Sequence, residues 1–173
     1  MDRTLFCNQY LAVIDREGYT FTREVRCGGV IVAVVPFRTT DTSMEFLARL
    51  EVCPAHGPEQ ERCSITGGLE PRQTVTACAR QELYEEAGYL VEEHELIHLG
   101  QVRPSKSADT LVHLFAVDVT TKSQHIAPGD GSRLEANAAV EWINYDHSLH
   151  LGDPLFITAV ARLRWYKKYR HYK

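Results

Sequence analysis

The chain has 173 residues, of which 44% are hydrophobic and 24% charged, and a formal net charge of -4. That length suits one domain over residues 1–173 with a real core. The mild acidity argues against partners bound through broad positive charge, namely nucleic acid or an anionic membrane surface.

Residues 1–18 carry acidic side chains and no continuous apolar stretch, and the longest apolar run, 28–37, is too short to span a bilayer. Neither a secretory signal nor a membrane helix is expected. Five scattered cysteines read as reduced thiols of a cytoplasmic protein. Cys53, His56 and Cys63 lie close together, but they lack the CxxC spacing and the fourth ligand of a zinc site.

In chain order, residues 9–25 read as a hairpin around Arg16-Glu17-Gly18, with the glycine supplying a positive φ. Residues 28–35 (GGVIVAVV) are continuous and β-branched, the pattern of a central strand buried on both faces. Residues 43–52 alternate loosely and read as the next strand, and 54–61 as a polar loop. Residues 73–87 have helical spacing, closed by Gly88. Residues 98–102 and 110–119 read as strands joined by 103–109. The Gly-, Pro-, Ser- and Asp-rich stretch 121–137 reads as a loop, and 138–144 as a strand. Residues 153–169 form a final helix capped by Asp153, with Pro154 at its first position. Its end is rich in basic and aromatic residues. Trp165 and Tyr169 stand at i, i+4 and cations favour a helix C-terminus, so this stretch reads as an amphipathic helix end rather than a nucleic-acid site. The sequence shows no repeat and no linker. The mixture predicts an α/β (α+β) domain, an α/β/α sandwich around a mixed sheet, preceded by an N-terminal β-hairpin within 1–25.

The chemistry concentrates in residues 67–89, GGLEPRQTVTACARQELYEEAGY. On a helical wheel with Glu82 at zero, Glu86 falls near ~40° and Glu85 near ~-60°. Val75, Cys78 and Ala79 share that half and Leu83 lies at its edge, so the glutamates face the side the apolar residues bury. A buried carboxylate costs several kcal/mol unless compensated, and carboxylates at i, i+3 and i+4 repel one another. A divalent cation relieves both problems, and an all-oxygen donor set suits Mg2+ or Mn2+. Gly67 and Gly68 allow backbone to approach a phosphate or metal closely.

This stretch resembles the box of the Nudix hydrolase family: G, five residues, E, seven residues, then R-E-aliphatic-x-E-E-x-G-aliphatic. Gly67, Glu82, Leu83, Glu85, Glu86, Gly88 and Tyr89 stand at the matching spacings, seven of nine fixed positions when Tyr89 is taken as the last apolar residue. The two departures are Gln73 for the family's glutamate and Gln81 for its arginine. In the family these two brace the loop against the helix, and a Gln–Gln hydrogen bond would fill the same space without charge.

The resemblance implies metal-dependent cleavage of a nucleoside diphosphate linked to another group. Glu82 and Glu86 would ligate the cation, with Glu85 close by or also a ligand, and the Thr66 carbonyl would be a further ligand. Gly67, Gly68 and Pro104 would contact substrate. The general base would come from the later loop, where Glu135 is the only glutamate. Asp130 is a weaker option, and Glu141 is expected within a strand. Pro104 follows the box by 15 residues, as in the ADP-ribose and ADP-sugar pyrophosphatase group, and GYTFTREV and SADTLVHLFAVDV are similar to segments of those enzymes. The expected reaction gives AMP and a sugar phosphate, and the N-terminal element is expected to help build a homodimer. Two other readings stand beside this one: a degenerate domain that binds a nucleotide without turnover, and a dinucleoside polyphosphate or RNA-end hydrolase.

Overall fold

In a computed structural model, which describes residues 1–129, 131 and 137–169, the hairpin forms and a further strand joins it. β1 (Asp2–Cys7), β2 (Leu11–Arg16) and β3 (Tyr19–Glu24) make an antiparallel three-stranded sheet in that order. Glu17 and Gly18 both have positive φ, 55° and 86°, and Arg16 pairs with Tyr19. That is the two-residue turn whose twist matches the strands it joins. β1 carries no burial signal, because all six of its residues are exposed. The two-stranded expectation for this region is therefore extended to three strands.

β4 (Val30–Thr39) is the centre of the second sheet. It is followed by β5 (Met44–Val52), β6 (Gln60–Cys63), β7 (Ile65–Gly68), helix α1 (Val75–Ala87), β8 (Ile97–Val102), β9 (Leu111–Asp118), β10 (Ala139–Asn144), and helices α2 (Tyr145–Ser148) and α3 (Pro154–Tyr169). The strand order is β10-β5-β4-β9-β8, with β6 on β5 and β7 on β4. β4 and β9 run parallel and the other pairs are antiparallel, so the sheet is mixed.

The unbroken apolar run of β4 is explained by a helix on each face. Side chains alternate along a strand. Ala33, Val35 and Phe37 pack with Phe156, Ala159, Val160 and Leu163 of α3. Val32 and Val34 pack with Cys78, Ala79, Leu83 and Ala87 of α1. β9 divides the same way, Leu114 and Ala116 toward α3, Phe115 and Val117 toward α1. Asp153 starts α3 as expected, its Oδ1 accepting from the Leu155 amide at 2.8 Å. Its Oδ2 also accepts from the amide and hydroxyl of buried Ser64, at 2.7 and 2.6 Å, tying the helix to the start of β7. Among the described residues no helix is long and apolar enough to cross a membrane.

Two features position the site. First, β4 uses one edge twice: Phe37–Thr39 pair with β5, while Ile31–Val34 pair with β7. β5 and β7 therefore part, and side chains from both meet α1 in the gap. Second, the three-stranded sheet is held against residues 106–109. The Thr22 amide donates to the Ser107 carbonyl at 2.8 Å, the Asp109 amide to the Thr22 carbonyl at 3.0 Å, and the Tyr19 hydroxyl to the Lys106 carbonyl at 2.7 Å. Arg23 Nε lies 2.7 Å from Asp109 Oδ2.

Candidate active site

The turn after β7 leads into α1 through Thr74, whose side chain accepts from the Ala77 amide and caps the helix. Gly88 ends it at φ 71°, its amide bonded to the Tyr84 carbonyl at 2.9 Å. A Cβ on Gly88 would lie 2.0 Å from the His125 carbonyl oxygen, so glycine is required there for closeness as well as for φ. The buried stripe of α1 is Cys78, Ala79, Leu83 and Ala87, which places Glu82 and Glu86 beside the core, in the phase expected from the sequence.

Glu82 lies under the β7 backbone. A Cβ on Gly67 would fall 1.9 Å from Glu82 Oε1, so the carboxylate fills the space a side chain at 67 would need. Glu86 Oε1 is 2.9 Å from Arg49 Nη1, and the two side chains are only 8% and 3% exposed. The Thr66 amide donates to Glu86 Oε2 at 3.3 Å, and Arg49 Nε donates to Glu51 Oε2 at 2.8 Å. Removing one partner of such a buried pair leaves the other charge uncompensated, at a cost of about 3–5 kcal/mol.

Glu85 is held by a chain of amides. The Glu70 amide donates to Gln73 Oε1 at 3.0 Å, Gln73 Nε2 to Gln81 Oε1 at 2.8 Å, and Gln81 Nε2 to Glu85 Oε1 at 3.1 Å. The uncharged brace anticipated from Gln73 and Gln81 is thus present.

Glu82 and Glu86 open with Thr66, Gly67 and Gly68 onto a cleft of about 420 Å³. Glu24 and Arg26, at and just beyond the end of β3, also line it, with Arg26 Nε 2.7 Å from Glu24 Oε1. Cys78 behind the glutamates stays a thiol, because burial, reinforced by the negative charge of Glu82, pushes its pKa up to about 12. The donor set suits a hard cation: carboxylates one turn apart, facing a polar cleft. Among the described residues no three His, Cys, Asp or Glu side chains form a closed cage. Mg2+ does not need one, since it usually keeps several waters and takes one or two carboxylates together with substrate phosphates.

The remaining candidates lie elsewhere. Pro104 is exposed and outside the cleft lining. Glu141 is in β10, paired with Arg62 at 2.9 Å. Glu135 and Asp130 lie outside the described residues. The loop that leads to them is fixed to the end of α1: the His125 amide donates to the Gly88 carbonyl at 2.8 Å, Gln124 Nε2 to the Ala87 carbonyl at 3.0 Å, and the Gly129 amide to the Glu85 carbonyl at 2.9 Å. Sequence reasoning missed Arg49, Glu51 and Arg26. The first two carried a signal, since Leu47, Arg49 and Glu51 share the α1-facing phase of a strand whose other phase holds buried Phe46 and Ala48.

The family profile described as the NUDIX domain matches residues 29–160. Among solved structures the chain is similar to a protein described as a NUDIX hydrolase from Listeria monocytogenes, with 19% identity and a TM-score of 0.62, covering 82% of this chain and 95% of that one. It is also similar to a protein described as ADP compounds hydrolase, with 17% identity and a TM-score of 0.68, covering 97% of this chain and 92% of that one. No curated protein matches the chain significantly in sequence.

Proposed function

The chain belongs to the NUDIX family of hydrolases, and from that premise we propose that it cleaves the pyrophosphate bond of ADP-ribose or an ADP-sugar, giving AMP and a sugar phosphate. The observation that carries the reading is the pair Glu82 and Glu86, set beside the core yet opening onto a polar cleft behind Gly67 and Gly68. Glu82 and Glu86 would hold Mg2+ or Mn2+, with Glu85 beside them and the Thr66 carbonyl as a further ligand. The cation supplies neutralisation of charge on the pyrophosphate oxygens.

The chain's own groups do the rest. Gly67 and Gly68 let the backbone come close to the phosphates. Arg26, which lines the same cleft, offers the substrate a positive charge among its carboxylates. Glu135 would take the proton from the attacking water. It follows Gly129 by six residues, so a chain anchored at the Glu85 carbonyl has a reach of up to about 20 Å.

The ADP-ribose or ADP-sugar class is supported by the Pro104 spacing, the GYTFTREV and SADTLVHLFAVDV segments and the likeness to the protein described as ADP compounds hydrolase. The dimer reading is supported by exposed Leu5, Phe6, Tyr10, Leu11 and Tyr19 on and around the three-stranded sheet.

The test is AMP release from ADP-ribose with Mg2+, measured beside Glu86→Gln. The expected result is release that needs the metal and falls roughly 100- to 1000-fold in the variant. Binding of ADP-ribose without release would favour the degenerate domain. Neither binding nor release would move the search to dinucleoside polyphosphates and capped RNA.

A further inference from the structure

We propose that Arg49 is a positioning residue for Glu86, and the resident counter-charge that sets how strongly the acidic site takes a divalent cation; this rests on the metal reading given above. Arg49 points from β5 toward α1, and its side chain is 3% exposed. It does not line the cleft, so direct contact with a substrate phosphate is not its task. Its fork is engaged on two sides: Nη1 meets Glu86 Oε1 at 2.9 Å and Nε meets Glu51 Oε2 at 2.8 Å. The Thr66 amide holds the other Glu86 oxygen at 3.3 Å. The Glu86 carboxylate is therefore gripped from β5 and from β7, with its plane fixed. A carboxylate has about four acceptor positions, so these two contacts do not by themselves exclude a cation from the same oxygens.

The charge on this partner gives the inference its direction. Groups behind a metal ligand are usually carboxylates or carbonyls, which raise the ligand's basicity. A guanidinium does the reverse: it draws electron density from Glu86 and repels an incoming dication. Glu51, on the far side of Arg49, offsets part of that positive charge. Arg49 and Glu51 thus form a graded counterweight, one weakening the cation's hold and the other restoring it, while the Arg49 fork keeps Glu86 aimed. The arrangement holds Glu86 oriented before the cation arrives.

Opposite signs follow for two neighbouring substitutions. Arg49→Met removes the repulsion, so Mn2+ binding measured by isothermal titration should tighten by roughly fivefold or more. Its kcat on ADP-ribose should fall about 100-fold, because a misplaced catalytic group costs rate even when ligands are bound. Glu51→Gln removes one of the carboxylates that offset the charge of Arg49, so Mn2+ binding should weaken. Arg49→Lys keeps the charge without the fork, so its Mn2+ affinity should stay near wild type while kcat recovers only in part. A change that merely loosened the fold would weaken Mn2+ binding in all three proteins. If Arg49→Met proves unfolded by thermal melt, the Glu51→Gln and Arg49→Lys titrations decide the matter. Unchanged or tighter binding in Glu51→Gln, or unchanged or weaker binding in folded Arg49→Met, would overturn the proposal. Absence of Mn2+ binding by the wild-type protein, or binding that Glu86→Gln leaves intact, would instead overturn the metal reading beneath it.

Discussion

At the scale of single residues the site is built from exclusions of space. Gly67 is needed because Glu82 occupies the volume its side chain would take, with a clash distance of 1.9 Å. Gly67→Ala must push the Glu82 carboxylate aside. The added carbon would also lie 2.3 Å from Glu82 Cγ, so the whole side chain must turn, and the thermal melt should fall modestly. Hydrolysis of ADP-ribose should fall about 100-fold, since a carboxylate misplaced by an ångström loses most of its catalytic use. A variant with full activity would show that Glu82 does not need its observed place. Gly88 combines two demands, a left-handed backbone and contact with the His125 carbonyl. It both ends the helix and docks the loop that leads toward Glu135.

At the scale of elements, the turn before α1 is joined to the helix by neutral amides where the family has an ion pair. The Gln73–Gln81 bond at 2.8 Å spans the turn and the middle of the helix, and Gln81 passes on to Glu85. A double-mutant cycle with Gln73→Ala and Gln81→Ala should give a coupling of about 1 kcal/mol, the worth of one neutral hydrogen bond. Because neither partner is charged, that coupling should hardly change between low and high salt. A strongly salt-dependent coupling would show that charged neighbours carry the brace instead. β5 joins the site in a way its hydrophobicity hides. One phase carries Phe46 and Ala48 to the α3 side, while the other carries Leu47, Arg49 and Glu51 to the α1 side.

At the scale of the whole molecule, the cleft has walls from both sheets. Glu82, Glu86 and Thr66 come from the large sheet and its helix, Glu24 and Arg26 from the end of the small one. The small sheet is fastened through residues 106–109 and the Arg23–Asp109 pair. Asp109→Ala should remove the Arg23 Nε partner and loosen that wall, raising KM for ADP-ribose several-fold with kcat little changed. Faster hydrogen exchange at the Thr22 amide should accompany it. A fall in kcat at unchanged KM would mean that the pair acts on the catalytic groups and not on the wall.

The sequence by itself determined the sandwich and the helix face on which Glu82 and Glu86 lie. An unbroken β-branched run demands cover on both faces, and helical periodicity alone places Glu82 and Glu86 toward the core. It also showed that Gln73 and Gln81 were spaced to meet. These are local or periodic properties, carried by residues within a few turns of one another. Tertiary structure alone decided the rest. β1 has no buried residue to announce it, and its pairing with β2 is a matter of backbone edges. The meeting of Arg49 with Glu86 crosses 37 positions of sequence and depends on β5 and β7 sharing one edge of β4. The wall contributed by Arg26 depends on where the small sheet is fastened. No spacing rule encodes such contacts, because they arise from how separate elements pack.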